Sequence, residues 1–228
     1  EYFTFGYEGQ DAEYRNSFIT EGIRLSYYPR MNQRKNTDLL ENKYRTYKKF
    51  KDMYKREVIR ILKNEKPTEE NLAKLREFAE RHENYVVKPV YAAFGNGVRV
   101  ENLGMYDSVE EAHQEYSKSG AVIEEVIVQG EALSKIHAGS VNTLRIPPAI
   151  IKNEEGEPEI KLFHPSIRMG RGDSFVDNFS AGGVSALIDA ETGVIYTDGA
   201  DKKGHTYECH PDSGIRFKGF QIPKWDEA

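Results

Sequence analysis

The stretch from residue 85 to residue 100 combines a lysine in an apolar run with a glycine-flanked loop. Lys88 follows two valines, and burial within a strand disfavours its charge unless an anion or a carboxylate lies nearby. Gly95 and Gly97 flank Asn96, and glycine allows backbone conformations in which N–H groups converge on an anion. The pattern predicts a β-hairpin whose tip could close over phosphates, although an ordinary surface hairpin has the same pattern.

Two familiar phosphate-binding motifs do not fit this stretch. The glycines of a P-loop run into a lysine followed by serine or threonine, and those of a Rossmann turn lead into a helix. Here Val98, Arg99 and Val100 continue as a strand, so the sequence favours neither motif.

A second lysine lies in a segment of helical composition, residues 38–52, which predicts one helix. Lys43 interrupts an otherwise apolar face of that helix. Because Lys43 and Lys88 belong to separate elements, they could bracket a triphosphate from two sides. For either lysine alone, an aliphatic stem packed on the surface with its ammonium group in water is the more common arrangement.

The predicted strand 121–128 ends in polar groups suited to a nucleotide. Around Glu124, Glu125, Val126 and Ile127, backbone N–H and C=O groups could bind an adenine edge, and the carboxylates could accept ribose hydroxyls. Glutamates at a strand edge are also commonly just solvated.

Two arginines in the second half could bind carboxylates or phosphates. Asn142 and Arg145 lie at the start of a predicted strand, and Arg168 lies near the end of a neighbouring one. The planar guanidinium group grips such anions through two parallel hydrogen bonds, so two arginines on one sheet face would suit an acyl-phosphate. Structural salt bridges are the alternative.

A loop with paired glycines follows these arginines. It contains Asp177, Asn178, Gly182 and Gly183 immediately before a strand, an arrangement that often brings backbone close to a ligand. No second acidic cluster accompanies Asp177 and Asn178, and the histidines lack ligand spacing, so no metal-binding residue is predicted.

The remaining patterns predict an α+β chain. Helices are expected after the caps at residues 67–70 and 107–111, with the hairpin between them. The second half predicts longer strands joined by short turns and therefore mainly antiparallel sheets. These strands are expected within residues 143–152, 158–169, 183–189 and 194–197.

Composition excludes several classes of protein. The formal net charge is −5, although residues 24–60 hold twelve Lys or Arg against four Asp or Glu. A nucleic-acid-binding protein would usually be basic overall, so this basic segment is interpreted as a solvated helix face. No apolar run approaches a membrane span, and a single cysteine, Cys209, precludes an internal disulfide and fits a reducing cytoplasm.

The order of these motifs resembles that of ATP-grasp proteins, in particular the sugar-transfer-associated ATP-grasp group found with bacterial cell-surface polysaccharide genes. The resemblance covers nearly the whole chain and rests on these stretches: residues 40–47, 87–97, 124–129, 140–145, 177–183 and 210–225. It implies two α+β subdomains: residues 61–128 would bind ATP beneath the glycine lid and residues 129–228 would form the second, after a helical segment 1–60.

The resemblance also implies roles for individual residues. Lys43 and Lys88 would hold the ATP phosphates, the segment 124–127 would bind adenine, and Glu131 would be a further ribose candidate. Arg145 and Arg168 would lie by the γ-phosphate and the acceptor carboxylate. Together with Asn178 these arginines are the implied catalytic residues. The implied substrate-binding residues are Asn142, Asp177, Gly182 and Gly183.

The implied chemistry is ligation of small-molecule or sugar-linked carboxylates and amines through an acyl-phosphate. ATP-grasp proteins also use Mg²⁺, whose ligands would lie beyond residue 228, so a fold truncated at the C-terminus is expected. The alternative is a non-catalytic nucleotide- or glycan-binding module with the same fold.

Overall fold

A computed structural model describes residues 9–16, 20–92 and 95–227 of the chain. It divides into two compact units, Glu1–Val126 (unit 1) and Ile127–Ala228 (unit 2). Among the described residues, no helix combines the length and the apolar composition that a bilayer crossing requires.

Unit 1 holds helices and strands in alternation after a helical start. Its helices are α1 (Ala12–Asn16), α2 (Glu21–Met31), α3 (Arg34–Glu41), α4 (Lys43–Lys49), α5 (Glu69–Arg81) and α6 (Val109–Ser117). Its strands are β1 (Val58–Ile61), β2 (Tyr85–Pro89), β3 (Arg99–Glu101) and β4 (Ala121–Glu125). They form one antiparallel sheet in the order β1-β4-β2-β3.

The two faces of this sheet differ because side chains alternate along a strand. One face is apolar and packs in a core with residues of α5 and α6, including Phe78 and Tyr116. The other face carries charge: the register places Arg60 of β1 and Lys88 of β2 on either side of Val122. The sheet thus positions cationic side chains on the face opposite the main core of unit 1.

The helix starts predicted from capping chemistry are confirmed. Thr68 accepts a hydrogen bond from the N–H of Asn71, whose side chain accepts one from the N–H of Thr68 in return. Ser108 accepts from the N–H of Glu111 at the start of α6. These bonds satisfy N–H groups that have no partner within the helix.

The single helix predicted over residues 38–52 is wrong. Asn42 has a non-helical backbone and caps α4 by accepting from the N–H of Arg45, so α3 ends and a new helix begins there. Lys43 is therefore the first residue of α4 rather than part of a continuous helical face. Strand β1, which no pattern had predicted, completes the sheet.

Unit 2 is mainly β. Its elements are α7 (Glu131–Ser134), β5 (Thr143–Arg145), β6 (Pro148–Lys152), β7 (Pro158–Leu162), β8 (Ser166–Met169), β9 (Val184–Leu187), β10 (Gly199–Ala200) and β11 (Thr206–Tyr207). The sheet order is β11-β10-β9-β8-β5, and β6 pairs with β7 as a separate ribbon. Its core includes Ile167, Met169, Val184 and Phe217.

Three of the predicted strands of the second half are wrong in extent. Residues 143–152 form two strands in different sheets, and residues 158–169 do the same. Proline lacks the N–H group that a strand ladder needs, and Pro147 and Pro165 lie at these breaks. Residues 194–197 make only isolated bridges, such as Ile188 with Ile195.

Candidate functional site

A buried carboxylate organises the charged face of the unit 1 sheet. Glu124 is only 4% exposed, and its Oε2 accepts hydrogen bonds from Lys88 Nζ at 2.7 Å and Arg56 Nε at 2.8 Å. Strand β4 lies between β1 and β2, so Glu124 is not at a solvated sheet edge. Two of the predicted site residues, Glu124 and Lys88, are therefore direct partners.

Lys43 approaches the same group from α4. Its Nζ donates to the carbonyl oxygens of Pro89 at 3.0 Å and Ala92 at 2.5 Å. Burial lowers the pKa of Lys43, the positive charge of Lys88 lowers it further, and the carboxylate of Glu124 opposes the shift. A bound anion would offset the first two effects, because it favours the charged form.

Arg60 adds a cation that sequence reasoning missed. Its Nε is buried without a hydrogen-bond partner, and its guanidinium carbon lies 5.1 Å from the centre of the Tyr44 ring. Together with Lys43, Arg56 and Lys88 it forms what we call the cationic cluster. The alternation in Val58-Ile-Arg-Ile61 could have indicated a strand with an arginine opposite the apolar core face.

The predicted hairpin is confirmed, since β2 pairs with β3. Gly95 and Gly97 have φ of 78° and 70° around the exposed Asn96. A Cβ on Gly97 would lie 2.8 Å from Cγ of Pro89, so the turn requires glycine there. Ala93 and Phe94, at the same tip, lie outside the described residues; the lid role stays a prediction.

In unit 2, β5 and β8 bring the two predicted arginines to one sheet face. Arg168 pairs with Thr143 in the register, and Arg145 lies two residues further along β5. Arg168 Nη2 donates to both carboxylate oxygens of Asp177, at 3.1 and 3.2 Å, and Thr143 also hydrogen-bonds that carboxylate. The salt-bridge alternative thus applies to Arg168, whereas Arg145 is exposed.

The chain matches the model of the family described as sugar-transfer associated ATP-grasp over residues 23–228. It belongs to this family. No curated protein matches the chain. The match confirms the resemblance drawn from the motifs and the ATP-grasp-like α+β fold with mainly antiparallel sheets, and it supports an ATP-binding, ligase-type role.

The cationic cluster fits the phosphates that an ATP-grasp protein binds. Three cationic side chains lie on the face that carries Glu124, and Lys43 approaches it from α4. One of the four, Arg60, has a buried unpartnered donor. The same face does not fit a Mg²⁺ ion, because Glu124 already accepts from two cations and Mg²⁺ binds through free carboxylate oxygens.

The segment predicted to bind adenine in an ATP-grasp protein spans the division between the units. The carboxylate of Glu125 accepts from the N–H of Glu57 at 3.0 Å, and Val126 ends unit 1. Ile127 and Glu131 belong to unit 2, where both are exposed. Structural contacts are therefore found for Glu124 and Glu125, and the nucleotide roles of the four residues remain predictions.

The loop 177–183 of unit 2, which holds predicted site residues, is held in shape by contacts with its own backbone. The Oδ1 atom of Asn178 accepts from the N–H groups of Ser180 and Ala181 and caps a short 3₁₀ turn. Gly182 has a φ of 103°, and a Cβ on Gly183 would lie 2.6 Å from the carbonyl oxygen of Asp177. Both glycines are required by the loop itself.

Asn142 braces a neighbouring turn of the same unit. Its amide donates to the carbonyl oxygens of Leu133 at 2.9 Å and His137 at 3.1 Å, and its N–H donates to Gln129 Oε1. The Oδ1 atom is buried without a hydrogen-bond partner. A structural role is thus visible for Asn142, and its substrate role stays a prediction.

Proposed function

We propose that this ATP-grasp protein is an ATP-dependent ligase that activates a carboxylate as an acyl-phosphate for attack by an amine or a similar nucleophile. The family supports the ligase type, and its association with sugar transfer favours a place in cell-surface polysaccharide biosynthesis. The observation that carries the proposal is the cationic cluster around a buried carboxylate, since excess positive charge at one place suits a triphosphate.

In this proposal unit 1 binds the phosphates of the nucleotide. Lys88 and Lys43 hold the phosphates, with the unpartnered donor of Arg60 as a further contact. The loop 95–97 covers the phosphates, because positive φ at its glycines allows N–H groups to converge on an anion. The segment 124–127 binds adenine, and Glu131 accepts a ribose hydroxyl.

Unit 2 supplies groups for the γ-phosphate and for the reacting carboxylate. Arg145 is exposed and is assigned to the γ-phosphate. Arg168 already forms a bidentate pair with Asp177, so a substrate carboxylate would compete for it. Asn178 is assigned a catalytic role beside Arg145 and Arg168. The residues assigned to substrate contacts are Asn142, Asp177, Gly182 and Gly183.

The chemistry has two steps. A carboxylate oxygen attacks the γ-phosphorus, the bond to the β,γ-bridging oxygen breaks, and ADP leaves. An amine then attacks the acyl carbon, and phosphate leaves. Lysine and arginine side chains would stabilise the charge that develops on the transferred phosphoryl group.

Calorimetric titration of ATP tests the nucleotide site. We expect Lys88→Met to weaken binding about 10- to 150-fold, the equivalent of a charge-assisted hydrogen bond of about 1.5–3 kcal/mol. Lys218→Met is the control, because Lys218 also donates to a carboxylate, that of Asp198 at 2.9 Å, but lies outside the cationic cluster. Equal losses in the two variants would refute a specific phosphate role for Lys88.

An assay of ADP release tests the reaction. The protein is incubated with ATP and a panel of carboxylates, and hydroxylamine is added to trap any acyl-phosphate. The ligase proposal expects carboxylate-dependent ADP release and a hydroxamate product. ATP binding without either product would instead favour the non-catalytic nucleotide-binding module.

A further inference from the structure

Three polar side chains that the ligase proposal does not use come together in unit 2. His137 follows α7, whereas His210 and Asp212 lie in the turn after β11. One ligand atom from each lies within 4.8 Å of the others, and the two imidazole rings are 5.4 Å apart between centres. Both histidines are buried, and Asp212 is exposed at the mouth of the group.

Hydrogen bonds orient both imidazole rings in the same way. The Nε2 of His210 lies 2.8 Å from the carbonyl oxygen of Gly170, and the Nε2 of His137 lies 3.3 Å from that of Ser174. A carbonyl oxygen only accepts, so each Nε2 must donate. In a neutral ring the Nδ1 atom then carries a lone pair. At His210 this lone pair accepts a hydrogen bond of 3.3 Å from the backbone N–H of Asp212, which a bound metal ion would displace.

The lone pair of His137 faces another acceptor. Its Nδ1 lies 3.5 Å from Oδ2 of Asp212, and a carboxylate also only accepts. The other tautomer moves the conflict to Nε2, which would then face the carbonyl oxygen of Ser174. A proton or a metal ion between Nδ1 of His137 and Oδ2 of Asp212 satisfies both acceptors.

The surroundings are shaped to hold the ring and the carboxylate. A Cβ on Gly139 would lie 3.0 Å from Nε2 of His137, and one on Gly170 would lie 3.0 Å from Cδ2 of the same ring. The N–H of Gly172 donates to Oδ2 of Asp212 at 2.6 Å. Backbone groups, rather than flexible side chains, thus position the His137 ring and the Asp212 carboxylate.

We propose that His137, His210 and Asp212 bind a divalent transition-metal ion, with Zn²⁺ as the ion that best suits the donor set. Two imidazole nitrogens and one carboxylate oxygen are common zinc ligands, and backbone carbonyls that fix the far ring nitrogen are typical of such sites. Three protein ligands leave a fourth position for water or a substrate oxygen. Nucleotide binding in unit 1 plays no part in this proposal.

Metal titration of the full chain after treatment with a chelator tests the site. We expect one Zn²⁺ per chain by calorimetry, and with Co²⁺ the visible absorption bands of a four-coordinate site. His137→Gln and Asp212→Asn should each weaken binding at least about tenfold. Asparagine at position 212 keeps an oxygen that can accept from Gly172, so it tests the charge with little change of shape.

His205→Gln is the matched control. His205 also faces a carboxylate, at 3.0 Å from Asp201, but the pair lies outside the proposed site. Its removal should leave Zn²⁺ affinity unchanged. Circular dichroism and thermal unfolding in chelator establish that each variant is folded before its affinity is compared.

Three outcomes would overturn the proposal. They are the absence of stoichiometric metal binding, wild-type affinity in both folded ligand variants, and a doubly protonated His137 in nitrogen NMR spectra that persists when Zn²⁺ is added. Because the probe is the metal alone, these outcomes do not depend on whether the chain binds ATP.

Discussion

Replacing Glu124 with glutamine should destabilise unit 1 by about 2–3 kcal/mol. Both Lys88 Nζ and Arg56 Nε donate to Oε2, so an amide oxygen can keep both hydrogen bonds while the charge is lost. A hydrogen bond to a charged group contributes about 1.5–3 kcal/mol and a neutral one about 0.5–1.5 kcal/mol. The side chains of Lys88 and Arg56 are 23% and 22% exposed. The loss of stability therefore stays below the roughly 3–5 kcal/mol that breaking a fully buried ion pair costs.

Urea unfolding at pH 7, followed by circular dichroism, measures this loss as a change of midpoint at constant m-value. Glu115→Gln is the matched control, because Glu115 pairs with Lys118 on the surface with side-chain exposures of 42% and 71%. Its effect should stay within about 0.5 kcal/mol. If Glu124→Gln is also within about 0.5 kcal/mol of wild type, the carboxylate does not organise the cationic cluster.

Three further predictions concern stability, each measured by urea unfolding. Gly156→Ala should lower the free energy of unfolding by about 1–2 kcal/mol, the cost of positive φ, and Gly97→Ala should lower it further. Both glycines have positive φ, but only a Cβ at Gly97 meets a proline ring, so equal losses of stability would contradict this. Asn42→Ala should cost about 1–2 kcal/mol through loss of the α4 cap, whereas Asn42→Asp should retain the cap. Hydrogen bonds, the largest from His205, hold the pKa of Asp201 well below its usual range, so its ionised form stabilises the fold above about pH 4. Asp201→Asn should therefore be less stable than wild type at pH 7, and a difference that does not narrow as pH falls below about 4 would refute the role of the charge.

The helices that sequence predicted best are those whose ends depend on local chemistry. Thr68 and Ser108 make their caps within four residues, so the pattern contains the whole interaction. The break at Asn42 was missed because helical composition continues on both sides of it. The amide of Asn42 also donates to the hydroxyl of Tyr91 at 2.7 Å, a contact from the hairpin that no local pattern contains.

The candidate site was predictable in its parts but not in its pairings. Lys88 was indicated by a charge within an apolar run, yet the role of Glu124 as its partner depends on the register of β2 with β4. Arg60 was missed along with its strand. His137 and His210 gave no spacing pattern, because their approach results from the packing of the turns that follow α7 and β11.

Lys43 links the proposed phosphate site to the hairpin above it. Its ammonium group donates to the carbonyl oxygens of Pro89 and Ala92, and its backbone N–H donates to the carbonyl oxygen of Val90 at 3.3 Å. These three bonds hold the segment that leads from β2 into the glycine loop. A phosphate that binds Lys43 must compete with two of these carbonyls, and it would also relieve the repulsion from Lys88. Under the proposed function, nucleotide binding and the position of the loop are therefore coupled through one side chain.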